Sequence, residues 1–321
     1  MRYIKIPKTE YLVSGFCMGT AKFGSAVSAE DSYRFMDRFL ELGGNFLDTA
    51  SLYADWLPNV EKSVSEKTIG RWLKSRNAYG KVIVATKGGA LNPETNLPTM
   101  SREELTSQME GSRANLGVDT IDLYYLHRDD TRRTVEEIMD FLFEAQDNGK
   151  IRHIACSNWT AERLRLADEY AKKCGKDGFV AVSNRWSLAM PVQGQSHDPT
   201  LVDMNDDLFA LHSETGIAAI LFSSTAQGYI SRYLAGEDFS EAYRKYYGSD
   251  RNNEIAKRAA VLAKEKGLTV AQIALIYFYS QSFASIPITA FDNDGQMLEA
   301  VAATEVVLTD DEYKFLMGEY K

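Results

Sequence analysis

The 321-residue sequence predicts an α/β fold, a (β/α)8 TIM barrel carrying an N-terminal β-hairpin and extra helices on its rim. Three observations lead there. Short apolar runs rich in β-branched residues alternate with longer segments of helical period, the pattern of parallel strands joined by helical crossovers. The runs number eight, one for each strand of a closed barrel. No Gly-x-Gly-x-x-Gly turn follows the first run, so the dinucleotide fingerprint of a doubly wound sheet, the main structural rival, is missing.

Taken in order, residues 2–13 read as a hairpin capping the barrel floor, and residues 15–20 as the first strand. An amphipathic stretch over 29–42 ends at Gly43 and leads to a strand at 45–48. A second helical stretch at 66–75 precedes a strand at 82–87. Residues 101–116 open with Ser101 and Glu104, and residues 134–148 with Thr134 and Glu137. In each pair a hydroxyl and a carboxylate can satisfy free amide donors at a helix start. Gly117 and Gly149 close these two stretches, and a strand at 121–127 lies between them. Further strands are expected at 154–157, 179–182, 218–222 and 284–288. Residues 224–268 are too long for one connection and, with Tyr243, Tyr246, Tyr247 and many charges, predict an excursion with a helix over one rim. Neither irregular segment needs a second domain, so residues 1–321 are expected to form one barrel domain.

At 45% hydrophobic and 25% charged, the chain has the composition of a soluble globular protein with a large core. The formal charge of −9 comes from 45 acidic and 36 basic residues with no basic block to neutralise successive phosphates, so nucleic acid is not an expected partner. No apolar run reaches the ~18 residues of a membrane span, and the start lacks the apolar core of a signal peptide; a cytoplasmic protein without membrane contact is expected. Cys17, Cys156 and Cys174 have no metal-type spacing, and no metal is expected; the first two sit in apolar runs where a thiol packs as a small hydrophobe.

In a (β/α)8 barrel the chemistry gathers at the carboxyl ends of the strands. Asp48 ends the second strand, with Tyr53 shortly after it; Lys87 ends the third and His127 the fourth. The step from Asp48 to Lys87 and again to His127 is about 40 residues, the length of one strand–helix–strand repeat. The set suits proton transfer to a developing alkoxide. An ammonium at Lys87 would stabilise the phenolate of Tyr53 and lower its pKa, and Asp48 would keep that lysine protonated. His127 can donate to a substrate oxygen and orient it beside Tyr53. Singly, each has a plainer explanation, since an Asp or Lys at a mouth often closes an ion pair and a His after an apolar strand often only packs. Packing alone gives no reason for four complementary ionisable groups at consecutive strand ends.

These residues lie in a wider set of motifs: Asn45-Phe46-Leu47-Asp48-Thr49-Ala50-x-x-Tyr53, Thr86-Lys87-Gly88, Asp122-Leu123-Tyr124-Tyr125-Leu126-His127 and Cys156-Ser157-Asn158. Met18-Gly19-Thr20, Ser65-Glu66-Lys67-Thr68-Ile69-Gly70 and Lys150-Ile151-Arg152 complete it. With them the chain resembles the aldo-keto reductase family over nearly its whole length. The resemblance implies that Asp48, Tyr53, Lys87 and His127 form a catalytic tetrad with Tyr53 as general acid or base. It also implies a nicotinamide cofactor extended across the mouth. By the same resemblance Gly19, Thr20 and Asp48 approach the cofactor, Ser157 and Asn158 bind the nicotinamide carboxamide, and Phe222 lies under the ring. Ser223, Thr225, Gln227 and Gly228 would then face the pyrophosphate, and Gln296 and Glu299 the adenosine end.

The chain departs from the family pattern in three places. The end of the sixth strand reads Ser183-Asn184 where the family usually has Gln, so with Ser183 and Asn184 as the cofactor residues there the carboxamide contact is expected to be weaker or shifted to Asn184. Residues 286–299 hold no Lys or Arg for a 2′-phosphate but do hold Asp292 and Asp294. Ala300 replaces an Asn that normally contacts adenine. Family membership argues for NADP(H) and the local residues for NAD(H); the balance falls to NADP(H). The expected substrate is a small carbonyl (aldehyde, ketone or sugar) or its alcohol. Trp56, Trp159 and Trp186 are expected round the mouth beside His127, an aromatic wall suited to a sugar face or an aryl group. Trp72 is expected to pack against the barrel. Two other functions fit the fold, a catalytically silent cofactor-binding redox sensor and a Schiff-base aldolase using Lys87, which would need a neutral lysine.

Overall fold

The computed structural model describes residues 1–195 and 198–319. Two short strands, β1 (Tyr3–Lys5) and β2 (Leu12–Ser14), pair antiparallel as the expected hairpin. The next eight strands are all parallel and pair in chain order: β3 (Cys17–Gly19), β4 (Phe46–Asp48), β5 (Ile83–Gly88), β6 (Ile121–Leu126), β7 (Ile151–Ser157), β8 (Ala181–Ser183), β9 (Ala218–Leu221) and β10 (Ser285–Thr289). β10 returns to β3 and closes the barrel. Alternate strand residues point inward, and Cys17, Phe46, Ala85, Leu123, Ala155, Ile220 and Ile286 fill the interior. Ile6, Tyr11 and Val13 of the hairpin join that cluster and stop its floor.

The pairing is uneven around the ring. Four residue pairs join β5 to β6 and five join β6 to β7, whereas only two join each of β10 to β3, β3 to β4 and β8 to β9.

Helices α1 (Ala29–Glu41), α2 (Val64–Arg76), α3 (Arg102–Leu116), α4 (Val135–Asp147), α5 (Ala161–Lys173) and α6 (Asp206–Thr215) follow β3 to β8 in turn. Both expected capping boxes are present: Ser101 with Glu104 opens α3, and Thr134 with Glu137 opens α4. Gly117 ends α3 in the left-handed region at φ 70°. Gly70 brings α2 against α3 so closely that a Cβ there would stand 2.1 Å from the carbonyl oxygen of Asn115. Trp72 is fully buried between barrel and helices, its indole N–H donating to Asp37 at 2.8 Å.

The excursion after β9 differs from its expectation. It holds α7 (Tyr229–Leu234), α8 (Glu241–Tyr247) and α9 (Asp250–Lys266), three helices where the sequence indicated one. Ring contacts among Tyr229, Phe239, Tyr243 and Tyr247 join α7 to α8, and the Tyr229 hydroxyl donates to Asn253 of α9 at 2.7 Å. The remaining helices are α10 (Val270–Tyr279), α11 (Asp294–Ala303) and α12 (Asp310–Met317). Among the described residues, no helix is long and apolar enough to cross a membrane.

Candidate active site

Asp48, Lys87 and His127 arrive at one mouth because they end, or directly follow, three adjacent strands, with Asp48 opposite Ala85 and Lys87 opposite Tyr125 in register. Lys87 Nζ donates to both Asp48 carboxylate oxygens at 2.6 Å, to the Thr49 carbonyl at 2.8 Å and to Tyr53 Oη at 3.0 Å. The Tyr53 hydroxyl in turn donates to Asp48 Oδ1 at 3.3 Å. The His127 ring stands edge-on to Tyr53 with centroids 6.1 Å apart. These four residues line one cavity of about 140 Å³ with Arg128, Ser157, Asn158, Ser183, Leu201, Phe222 and Ile288.

Burial and charge work against each other in this cluster. Burial lowers the proton affinity of Lys87, but Asp48 and Tyr53 outweigh it and hold the ammonium above its ordinary range. That state is unsuited to Schiff-base chemistry. Burial raises the carboxyl of Asp48 despite Lys87. For Tyr53, burial and the Asp48 charge overcome Lys87 and push the phenol up to about 12. This reverses the lowering expected from the lysine alone, because the sequence shows the cation and not the desolvation. His127 is held well below its ordinary range by burial and then by the Lys87 and Arg128 cations, so its imidazole is neutral near pH 7. A neutral imidazole retains one N–H to donate; the Nδ1 atom is buried without a protein partner.

A second layer braces the first. Thr20, fully buried, turns away from the mouth and donates through its amide and hydroxyl to the Asp48 carbonyl at 3.0 and 2.8 Å. Ser65 of α2 bonds both Thr20 and Thr49 through its hydroxyl. The buried Glu66 takes a 2.5 Å bond from Thr86 and a 2.9 Å bond from Asn115, fixing β5 beside Lys87. Ser65 and Glu66 belong to a motif visible in the sequence, but only the fold shows what they hold. Gly19 lets β3 pass β10, since a Cβ there would lie 3.1 Å from Ile288 Cγ2, itself on the cavity wall.

The expected cofactor residues lie along the neighbouring strand ends. A left-handed Asn158, at φ 62°, lets consecutive residues Ser157 and Asn158 both face the cavity. The Asn158 amide donates to the His127 carbonyl at 3.1 Å and to Ser157 Oγ at 3.0 Å, and its oxygen accepts from the Val202 amide at 3.1 Å. Ser183 lines the cavity, and its Oγ is buried with no partner among the described residues. Asn184 braces the backbone instead, accepting from the Asn158 amide at 2.7 Å and donating to the Trp159 carbonyl at 3.0 Å. Phe222 presents its ring to the cavity. Beyond it Ser223, Ala226, Gln227 and Gly228 all have positive φ, and Thr225 lies among them, so the segment forms a tightly coiled turn. Tyr243 of α8 ties that turn down by donating to the carbonyls of Ala226 and Gln227 at 3.2 and 3.3 Å.

The loop after β10 contains a cation that its own sequence lacks. Arg34 of α1 reaches across to Asp294 at 2.9 Å. Gln296, in the first turn of α11, accepts from the Asp292 amide at 2.8 Å, and Glu299, midway along α11, accepts from the Thr269 hydroxyl before α10 at 3.2 Å.

The aromatic wall is smaller than expected. Trp159 is fully buried on the α5 side, edge-on to Phe179 and under the Arg163 guanidinium, with its N–H towards the Arg128 carbonyl. Trp186 is 3% exposed among Tyr277, Phe278, Phe283 and Phe209. Neither lines the cavity: the Trp159 ring is taken up by Phe179 and Arg163, and the Trp186 ring by the aromatic cluster around Phe283. Trp56 alone remains outside, 62% exposed and edge-on to Tyr53 at 6.5 Å. Sequence reasoning passed over Arg128 and Leu201. Arg128 was findable as the residue after His127; Leu201 comes from a long loop with no strand-end signal.

The family model described as "Aldo/keto reductase family" matches residues 16–317. The chain is 27% identical to norsolorinic acid reductase stcV of Emericella nidulans, over 94% of this chain and 76% of the relative. It is 29% identical to an aldo-keto reductase of Gibberella moniliformis, over 91% of this chain and 84% of that one. It is 25% identical to the aryl-alcohol dehydrogenase [NADP(+)] of Phanerodontia chrysosporium, over 89% and 75%. The solved structure of the thermostable aldo-keto reductase Tm1743 with the inhibitor epalrestat matches with a TM-score of 0.73 at 20% identity, over 99% of both chains. That likeness is one of fold.

Proposed function

The chain belongs to the aldo/keto reductase family and is an oxidoreductase, and on that premise we propose that it interconverts small aryl aldehydes or ketones and their alcohols with Tyr53 as the proton donor. The observation that carries this reading is the Lys87 ammonium, which bridges the Asp48 carboxylate and the Tyr53 oxygen inside one small cavity. The partnerless Ser183 hydroxyl, the Phe222 face and the coiled turn at 223–228 fit a nicotinamide and its pyrophosphate. When bound, the reduced cofactor supplies a hydride to the carbonyl carbon. Tyr53 gives its proton to the carbonyl oxygen, and Lys87 stabilises the phenolate left behind until water returns the proton. Asp48 is a positioning residue that keeps Lys87 charged. The neutral His127 donates its N–H to the carbonyl oxygen and fixes it near Tyr53. Ser157 and Asn158 would hold the carboxamide, with Ser183 where the family usually has Gln. The exposed Trp56 beside Tyr53 supports an aryl group in the substrate. Arg34 next to Asp294 supports NADP(H), since it can turn from the carboxylate to a 2′-phosphate.

The test follows reduced-nicotinamide absorbance with a panel of aldehydes, ketones and sugars and both cofactors. Tyr53→Phe keeps the ring and loses the transferable proton, so kcat should fall on the order of 100-fold or more with cofactor affinity near wild type. Retention of more than about a third of kcat, with chemistry limiting, would remove Tyr53 from the role.

A further inference from the structure

Residues 198–204, between β8 and α6, bring Leu201 to the barrel mouth and are fastened at three strand ends. At the end of β6, Arg128 Nη2 pairs with Asp198 at 2.9 Å and Nε donates to Thr200 Oγ1 at 2.8 Å. At the end of β7, the Val202 amide donates to Asn158 at 3.1 Å. At the end of β8, Arg185 exchanges backbone bonds with Val202 and Met204 at 3.0 and 2.9 Å and forms an ion pair with Asp203. Between the first two fastenings stands Leu201, whose side chain is part of the catalytic cavity wall.

Arg128 is the fastening best placed to act on the chemistry. Its guanidinium is 13% exposed, lines the cavity and also donates to the His127 carbonyl at 2.9 Å. Asp198 is tied from within its own turn by the Thr200 amide at 2.9 Å and the Thr200 hydroxyl at 2.5 Å. These bonds and Arg128 outweigh burial and hold its carboxyl below the usual range, so the pair stays charged through neutral pH. Fastened this way, the strap leaves about 140 Å³ beside Tyr53 and His127, well below the ~300–1,000 Å³ usual for drug-sized ligands.

We propose that the Arg128–Asp198–Thr200 contact is a latch that sets substrate size. Closed, it presses Leu201 over the mouth and restricts turnover to carbonyls with a single ring; released, it admits fused-ring carbonyls. This rests on the carbonyl-reductase reading of the same cavity. Two variants separate the latch from the wall. Asp198→Asn removes the charge pair while keeping a similar shape, and Leu201→Ala trims the wall with the latch intact. A one-ring and a three-ring aryl aldehyde are compared by kcat/KM, and hydrogen exchange is followed over residues 198–204 of the full chain.

Asp198→Asn should speed exchange in that segment about tenfold and raise the three-ring to one-ring kcat/KM ratio by about tenfold, the scale of pocket-size discrimination. Leu201→Ala should raise the ratio as much without changing exchange, and the double variant should add little to either single one. Unchanged exchange in Asp198→Asn would overturn the latch. Faster exchange with a ratio within about twofold of wild type would overturn its part in specificity. If wild type turns over no carbonyl with either cofactor, the reductase reading fails and takes the size proposal with it, while the exchange data still judge the latch by themselves.

Discussion

Tyr53 is the residue where the structure most changes the chemistry expected from the sequence. On the proposed mechanism, reduction needs the protonated form of Tyr53, which exists below its pKa. With burial pushing that pKa up to about 12 and His127 already neutral, neither group titrates across the neutral range. At saturating reduced cofactor, kcat/KM for the carbonyl should therefore be flat from about pH 6 to about pH 9, falling only in stronger alkali. A descending limb near pH 8 would show instead that Lys87 stabilises the phenolate more than burial opposes it. That Asp48, Tyr53, Lys87 and His127 meet in one cavity was legible in the sequence because each sits at or just past a strand end, where period and apolar content are easiest to read. Desolvation was not legible, since it depends on residues such as Leu201 and Ile288 that arrive from distant segments. For the same reason Trp159 and Trp186 were misplaced: closeness in sequence to Asn158 and Asn184 says nothing about which side of the strand ends a ring occupies.

Elements rather than residues decide how close the helical shell lies. Gly70 and Gly111 are both helical glycines, but a Cβ at Gly70 meets the Asn115 carbonyl oxygen whereas one at Gly111 meets nothing within 4 Å. Gly70→Ala should thus destabilise the protein by about 1–3 kcal/mol or more, as backbone overpacking does. Gly111→Ala should stabilise it by about 0.5–1 kcal/mol through helix propensity. Denaturant unfolding of the two variants checks both signs; equal effects would mean that α2 can slide away from α3. The strands and the capped helices α3 and α4 were legible because their signals are local. The number of helices in the excursion was not, because α7 and α8 are short and their order comes from Tyr229, Phe239, Tyr243 and Tyr247 packing on one another. The start of β7 was missed by three residues: Ile151-Arg152-His153 carries a cation that reads as loop, yet Ile151 pairs with Ile121.

At the scale of the whole molecule, the proposed NADP(H) preference rests on α1 lending Arg34 to the segment after β10, which carries acid instead of base. One exposed cation shared with Asp294 should give only weak discrimination, within about tenfold in kcat/KM between NADPH and NADH, or ~1.4 kcal/mol. Arg34→Ala should tip the ratio towards NADH, and Gln296→Arg, which adds a second guanidinium at the start of α11, towards NADPH. A wild-type NADPH preference above about a thousandfold would put the phosphate's cation elsewhere. Lys87 and His127 stand on the ring's best-stitched arc, β5 to β7, while Phe222 and the coiled turn after it follow β9, joined to β8 by two pairs and to β10 by three. A ring stitched so unequally yields first at its weak seams. If a long cofactor passes on the Phe222 side, as proposed, that side can breathe while Lys87 and His127 keep their spacing, as the fixed jaw of a vice stays put when only the loose jaw moves.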